Sequence, residues 1–201
     1  MSKLFKRTIM LGLSLMLCVS CITPLASATN ADDASNPVIE LEYEEYISAQ
    51  DHFTSLAKDG ATLVIHVGEE NEAAELARIA SESTTPSDTL QAPMARGYGI
   101  PTRDYNINEL GKKTIEGSSR YTLGYLFTSW NYVGCKAYEI SLYNRYSSTL
   151  KVDIVPKGST KSCLSYTVPA KSTVIRYTAE PSWYARFAVP CDVYGYVKRD
   201  I

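Results

Sequence analysis

The stretch that decides the fold is Leu150-Lys151-Val152-Asp153-Ile154, in which apolar and charged side chains alternate. A period of two places the apolar side chains on one face of a β-strand and the charged ones on the opposite face. Segments rich in turn-forming residues separate this run from its neighbours. Comparable runs occur at residues 121–128, 136–143, 163–168, 173–178, 183–189 and 192–198.

Seven short strands in succession, with no helical pattern between them, predict a mainly β fold. We expect residues 105–201 to form an antiparallel β-sandwich of the jelly-roll or immunoglobulin-like kind. Each apolar side chain that is fully buried adds about 1.5–3 kcal/mol before chain entropy is subtracted. The side chains predicted to face the interior are Tyr138, Ile140, Leu142, Leu150, Val152, Ile154, Trp183, Ala185, Phe187, Val189, Val193 and Val197.

The region before these strands follows a different pattern. Apolar residues at helical spacing predict a helix over residues 42–58 and a second, shorter helix over 73–80. A β-branched run between them predicts a strand over 62–67. Residues 29–82 are therefore expected to form a small helix-strand-helix segment. Residues 83–104 are rich in Ser, Thr, Pro and Gly without a sustained period, which is typical of a linker.

Charge is divided unevenly between these two regions. Residues 29–95 hold 14 acidic and 2 basic side chains, a net charge of −12, whereas residues 96–201 hold 8 acidic and 15 basic ones, a net charge of +7. One hypothesis is that the acidic segment is a pro-region that pairs with the basic sandwich until the chain is cut near Arg96 or Arg103. The alternative is an appendage that packs permanently on the sheet.

The N-terminus has the pattern of a secretory signal peptide. Lys3, Lys6 and Arg7 precede an apolar run over residues 8–22, and Ala26-Ser27-Ala28 offers small residues for cleavage, so residues 1–28 are predicted to be removed. The run is shorter than a bilayer-spanning helix requires, and no later segment is apolar enough to be one. We expect a secreted or cell-surface protein.

A second reading of the same signal involves Cys21. In the segment Leu17-Cys18-Val19-Ser20-Cys21 a small residue precedes a cysteine, as in signals that lead to a lipid anchor. The position three residues before Cys21 holds Cys18, where such signals usually carry leucine. Simple secretion is therefore preferred over a lipid anchor at Cys21.

Three cysteines remain after signal removal, namely Cys135, Cys163 and Cys191. In an exported chain an odd number allows at most one disulfide among them and leaves at least one thiol. The two histidines, His52 and His66, lie in the acidic half, so no metal site or cofactor is predicted. For the same reason a Ser-His or Cys-His catalytic pair would have to be built across the two halves.

Aromatic residues suggest two candidate ligand-binding sites. Alternation in the last two runs turns Tyr184, Arg186, Tyr194 and Tyr196 away from the sandwich interior, and these side chains would form one surface patch if the two strands pair. Aromatic faces stack on sugar rings, and an arginine binds an anionic group. The alternative is that tyrosine is simply a common strand residue.

The second candidate is the aromatic segment of residues 130–134, which contains Trp130 and Tyr132 between two predicted strands. An aromatic loop at this position rims a binding site in some proteins. The competing interpretation is that Trp130 covers the open end of the sandwich.

Together these features predict a secreted, non-enzymatic β-sandwich that acts as a binding module. The expected partner is a cell-envelope polymer, an extracellular glycan or another protein, because a basic, aromatic surface suits such ligands. Nucleic acid is not expected, since the basic residues are spread over the region and the chain is exported. The alternative function is a toxin-like or antimicrobial effector with an acidic pro-region.

Overall fold

The computed structural model describes residues 36–81 and 100–200. The predicted signal peptide with Cys21, and the predicted linker up to residue 99, lie outside these ranges. Among the described residues, no helix combines the length and apolar character that crossing a membrane requires. In chain order the elements are β1 (Val38–Glu42), α1 (Tyr43–Ser48), α2 (Gln50–Lys58), β2 (Thr62–His66), α3 (Glu72–Ser81), β3 (Asp104–Asn106), α4 (Ile107–Leu110), β4 (Lys113–Ser119), β5 (Tyr125–Phe127), β6 (Asn131–Val133), β7 (Tyr138–Asn144), β8 (Leu150–Pro156), β9 (Leu164–Val168), β10 (Ser172–Thr178), β11 (Ser182–Ala188) and β12 (Cys191–Arg199).

The strands form two six-stranded sheets. Sheet A has the order β1-β2-β10-β7-β12-β4, and sheet B has the order β3-β6-β11-β8-β9 with β5 also paired to β11. The prediction of a mainly β, sandwich-like fold is confirmed, and each of the seven predicted runs contains a strand. The sheets are mixed rather than purely antiparallel, because β1 pairs in parallel with β2 and β3 in parallel with β6.

The main core lies between the two sheets. It contains eleven of the twelve side chains predicted to face inward, and the twelfth, Val189, is partly buried against it. At its centre the Trp183 ring lies 4.8 Å from the Tyr132 ring and 5.7 Å from the Tyr138 ring, measured between centroids. Aromatic contacts of this kind add to the stabilisation from buried area.

A second apolar core lies on the opposite face of sheet A, under helices α1, α2 and α3. Strand residues such as Leu63, Ile65 and Ile175 pack there against helix residues such as Tyr46 and Ile79. Sheet A is therefore covered on both faces, and every residue of β7 is buried. The acidic segment is thus an integral part of the fold in two ways. It supplies strands β1 and β2 of sheet A, and it supplies the helices that cover the outer face of this sheet.

The helix predicted over residues 42–58 was wrong in one respect, because the chain forms two helices separated at Ala49. The Ser48 hydroxyl donates to the Glu45 carbonyl, the acceptor that the Ala49 amide would use in a continuous helix. The Ala49 amide instead donates to Tyr46. Local competition by a serine side chain accounts for such a break, which apolar spacing does not reveal.

Gly195 provides a test of the packing between strands. It lies in β12 between Leu142 of β7 and Ile115 of β4, and a Cβ atom there would overlap the Ser141 carbonyl oxygen and the Leu142 Cα. Backbone atoms cannot move aside, so we expect Gly195→Ala to cost about 3 kcal/mol or more in free energy of unfolding, measured by urea denaturation.

The matched control for this variant is Gly117→Ala in β4. The added Cβ would meet Leu126 Cδ2, the end of a flexible side chain that can turn away. We expect a loss of about 1 kcal/mol. Equal losses for the two glycine variants would contradict the account of Gly195.

Candidate functional site

The four residues of the predicted aromatic patch do not lie together. Strand β11, with Tyr184 and Arg186, belongs to sheet B, whereas β12, with Tyr194 and Tyr196, belongs to sheet A. The two strands do not pair with each other, so the condition on which the patch depended is not met. The prediction of one continuous patch was therefore wrong.

Tyr194 and Tyr196 face away from the main core, as predicted, but they are covered by the second one. Tyr196 is 2 % exposed, and its hydroxyl donates to Glu139 over 2.7 Å. Tyr194 is half-buried, with the Arg145 guanidinium 5.6 Å from its ring centroid. Alternation assigned the correct face, but the second core occupies that face, where it buries Tyr196 and partly covers Tyr194.

Tyr184 is also buried, although it lies on the outer face of sheet B. Its exposed fraction is 1 %, its hydroxyl donates to the Ser159 carbonyl over 3.0 Å, and its ring lies 6.1 Å from that of Phe127. The connection between β8 and β9, which contains Ser159, therefore covers Tyr184. Its neighbour Arg186 remains partly exposed.

Arg186 belongs to a row of outward side chains that crosses four strands of sheet B. Phe127 of β5 lies opposite Arg186 of β11, Arg186 lies opposite Asp153 of β8, and Asp153 lies opposite Ser165 of β9. Arg186 Nε donates to Asp153 Oδ2 over 2.8 Å, and Ser165 Oγ donates to Asp153 Oδ1 over 2.6 Å. Arg186, Asp153 and Ser165 of this row are thus joined by direct hydrogen bonds.

Aromatic and basic side chains flank this row. The Arg186 guanidinium carbon lies 4.7 Å from the ring centroid of Tyr125, which is half-buried like Phe127. Lys151 is exposed, with Nζ 3.9 Å from Asp153 Oδ1. We call the set Tyr125, Phe127, Lys151, Ser165 and Arg186 the Arg186 face.

Asp153 fixes the orientation of the arginine on this face. Burial of Asp153 opposes ionisation, but the hydrogen bonds from Ser165 and Arg186 outweigh it and hold the pKa of this carboxyl below its usual value. An ionised, 1 % exposed carboxylate therefore lies beneath the guanidinium. Arg186 Nη1 also donates to the Thr160 carbonyl over 3.2 Å, so the guanidinium is held from two sides.

The second predicted site, around Trp130 and Tyr132, is largely part of the core. Residues Asn131–Val133 form β6 rather than a loop, and Tyr132 is 2 % exposed against Trp183. Trp130 is half-buried and meets the Tyr105 ring edge-on, with 6.1 Å between centroids. These contacts favour the interpretation that Trp130 covers the end of the sandwich.

Two buried carboxylates, Glu75 and Glu139, accept hydrogen bonds that were not predicted. Glu75 of α3 is 1 % exposed, and it accepts hydrogen bonds from Arg78 over 2.6 and 2.7 Å and from Thr173 of β10 over 2.5 Å. Glu139 of β7 accepts from Tyr177 over 2.5 Å. No period in the sequence marks these contacts, because Thr173 and Tyr177 reach the two carboxylates from a strand that is distant in the sequence.

Three residues drawn from both halves, Ser172, His66 and Glu40, are of types that hydrolytic enzymes use for catalysis, and they lie next to one another. Ser172 Oγ lies 3.3 Å from His66 Nδ1, and His66 Nε2 lies 3.8 Å from Glu40 Oε2. Ser172 is 1 % exposed, however, and its hydroxyl also reaches the Ala170 carbonyl at 3.1 Å. A nucleophile needs an approach path for its substrate, and this serine is covered.

The three described cysteines, Cys135, Cys163 and Cys191, are free thiols in the structure, so the one disulfide that the sequence allowed among them is not formed. Cys191 belongs to the main core, and burial raises the pKa of its thiol to about 11. Cys163 is exposed just before β9, and Cys135 is half-buried after β6. The described residues contain no cluster of three or more His, Cys, Asp or Glu side chains arranged to hold a metal ion.

Most acidic side chains of residues 36–81 face solvent rather than the basic half. Ion pairs join the halves, among them Lys171 to Glu72 and Lys58 to Asp200, each over 3.0 Å. The protein therefore carries an acidic surface over sheet A, on the side opposite the Arg186 face. The exposed acidic residues are Glu40, Glu42, Glu44, Glu45, Asp51, Asp59, Glu69 and Glu70.

The role of Asp153 is testable through the pH dependence of stability. The pKa of Asp153 is lower in the folded than in the unfolded chain, so ionised Asp153 stabilises the fold above about pH 4. This contribution is lost as the pH falls through the pKa that Asp153 has in the folded chain. We expect Asp153→Asn to lower the free energy of unfolding at pH 7 by about 1.5–3 kcal/mol, and the difference from the unmodified protein to shrink below about pH 4.

The measurement is urea denaturation at a series of pH values. The control is Asp51→Asn, which alters an exposed carboxylate in α2. If the free energies of unfolding of Asp153→Asn and the unmodified protein differ by the same amount down to about pH 2, ionised Asp153 does not have the stabilising role described here.

Comparisons with known proteins give no further guide to the chemistry of this site. No protein family, no curated protein and no solved structure matches the chain. The function of the chain therefore has to be inferred from the Arg186 face itself, since a fold alone does not imply an activity.

Proposed function

We propose that this is an exported, non-catalytic binding module that holds an anionic polysaccharide of the cell envelope or extracellular matrix. The binding surface is the Arg186 face on sheet B. The observation that carries the proposal is an arginine fixed between an aromatic ring and a buried carboxylate, on a sheet face that the helices do not cover.

The arginine retains hydrogen-bonding capacity for a ligand. A guanidinium has five N–H donors, and the contacts with Asp153 and Thr160 occupy two of them. Because those contacts fix the plane of the group, little side-chain entropy is lost when a carboxylate or sulfate binds the remaining donors. Lys151 adds a second positive charge on the same face.

The aromatic side chains favour a sugar polymer among anionic ligands. Tyr125 and Phe127 are both half-buried on the outward side of β5, with 6.5 Å between ring centroids. Apolar ring faces with accessible edges stack on the C–H faces of sugars. A polymer that carries both sugar rings and negative charges uses both kinds of contact on the Arg186 face.

The charge distribution supports an oriented approach to such a polymer. The acidic helices lie over sheet A, and the Arg186 face lies on sheet B, so an anionic surface repels one side and attracts the other. The effector with an acidic pro-region is less well supported. Its proposed charge pairing would use acidic side chains that are exposed in this structure.

The test is a binding measurement with two probes, a uronic-acid polysaccharide and neutral dextran of equal length. We expect the full chain to bind the uronic-acid polymer and to lose affinity when salt rises from about 50 to 200 mM, because exposed charges are screened. Arg186→Lys keeps the charge that Asp153 needs but loses the planar donor set, and we expect it to bind about tenfold more weakly.

Tyr125→Ala should weaken binding of the uronic-acid polymer by a similar factor of about ten. The matched controls are Arg199→Lys at the end of β12 and Tyr146→Ala in the connection between β7 and β8, which should bind like the unmodified protein. Circular dichroism verifies that each variant is folded. Failure of the full chain to bind the uronic-acid polymer, or equal binding of dextran, would overturn the proposal.

A further inference from the structure

We infer that the C-terminal half carries a docking surface that holds residues 36–81 as a separable subunit. This surface consists of the edge of β10 and the outer face of β10, β7 and β12. A chain cut between residues 82 and 99 therefore remains assembled as a two-chain protein, and such processing does not release the acidic segment. This inference is independent of the Arg186 face.

The first support is main-chain pairing. Strand β2 lies between β1 and β10, and it is antiparallel to β10 over four residue pairs, from Ser172 opposite His66 to Ile175 opposite Leu63. The amides of Val67 and Gly68 also donate to the Lys171 carbonyl over 3.1 and 3.2 Å. Addition of a strand to a sheet edge is an established way for separate chains to bind each other.

The second support is the apolar core under the helices. The segment contributes Tyr46, Leu63 and Ile79, and the C-terminal half contributes Tyr143 and Ile175. All of these side chains are 1 % exposed or less. Release of the segment would expose a continuous apolar surface, which soluble proteins rarely tolerate.

The third support is a carboxylate whose partners lie on both sides of the boundary. Glu75 is paired with Arg78 on its own helix and accepts from Thr173 of the C-terminal half. At the margin of this surface Lys171 bonds Glu72 over 3.0 Å. Hydrogen bonds to buried charged groups fix the register of two surfaces, because a shifted arrangement leaves the charge unsatisfied.

The experiment uses the full chain with a protease recognition sequence placed between residues 82 and 99. After complete cleavage, both fragments are followed by size-exclusion chromatography and native mass spectrometry in buffer and in urea. We expect them to elute together in buffer at about 1 μM and to separate in urea, as for other core-like interfaces. Separate elution of the acidic fragment in buffer would overturn the inference.

A pair of variants tests whether docking, rather than slow unfolding, retains the fragment. Ile79→Glu places a charge in the apolar core under α3, and Ile47→Glu changes a residue of α1 that is 42 % exposed. We expect the cleaved Ile79→Glu protein to release at least about ten times more acidic fragment at equilibrium than the cleaved Ile47→Glu protein.

Thr173→Val is a milder substitution that can be used if Ile79→Glu does not fold. It removes the hydrogen bond to Glu75 without adding a charge, and we expect a release about threefold to tenfold greater than that of the cleaved parent. Release that is the same for Thr173→Val, Ile47→Glu and the parent would show that this surface does not hold the segment.

Discussion

The structure depends on the covering of both faces of sheet A by apolar side chains. One face packs on sheet B, and the other packs on the helices of the acidic segment. Strand β7, at the middle of sheet A, is buried along its whole length for this reason. Removal of apolar area from water is the main favourable term in folding. Loss of either cover would return a large apolar area to water and would remove much of this stabilisation.

This constraint explains which features were predictable from sequence. A period of two locates strands and divides their side chains between two faces, so the seven runs and nearly the whole inward set were found. It does not say what lies against the second face. Tyr196 was predicted to be outward and is outward from the main core, yet the helical layer covers it.

Features that depend on partners distant in sequence were missed for a related reason. Strands β3 and β6 have three residues each and show no measurable period, and β1 is defined by its parallel pairing with β2. The contact of Thr173 with Glu75 joins residues almost a hundred positions apart. In the candidate site, Arg186 was recognised from its strand, whereas Tyr125, Phe127 and Asp153 became its neighbours only through the pairing of sheet B.

The position of β4 at the end of sheet A has a consequence for association between molecules. An edge strand presents unpaired main-chain groups on which another chain can build a sheet. Two charged side chains, Lys113 and Glu116, lie on β4, and Glu116 is exposed. Burying such charges in an intermolecular sheet is costly, so growth of sheet A from one copy to the next, the first step toward fibrous aggregates, is disfavoured at this edge.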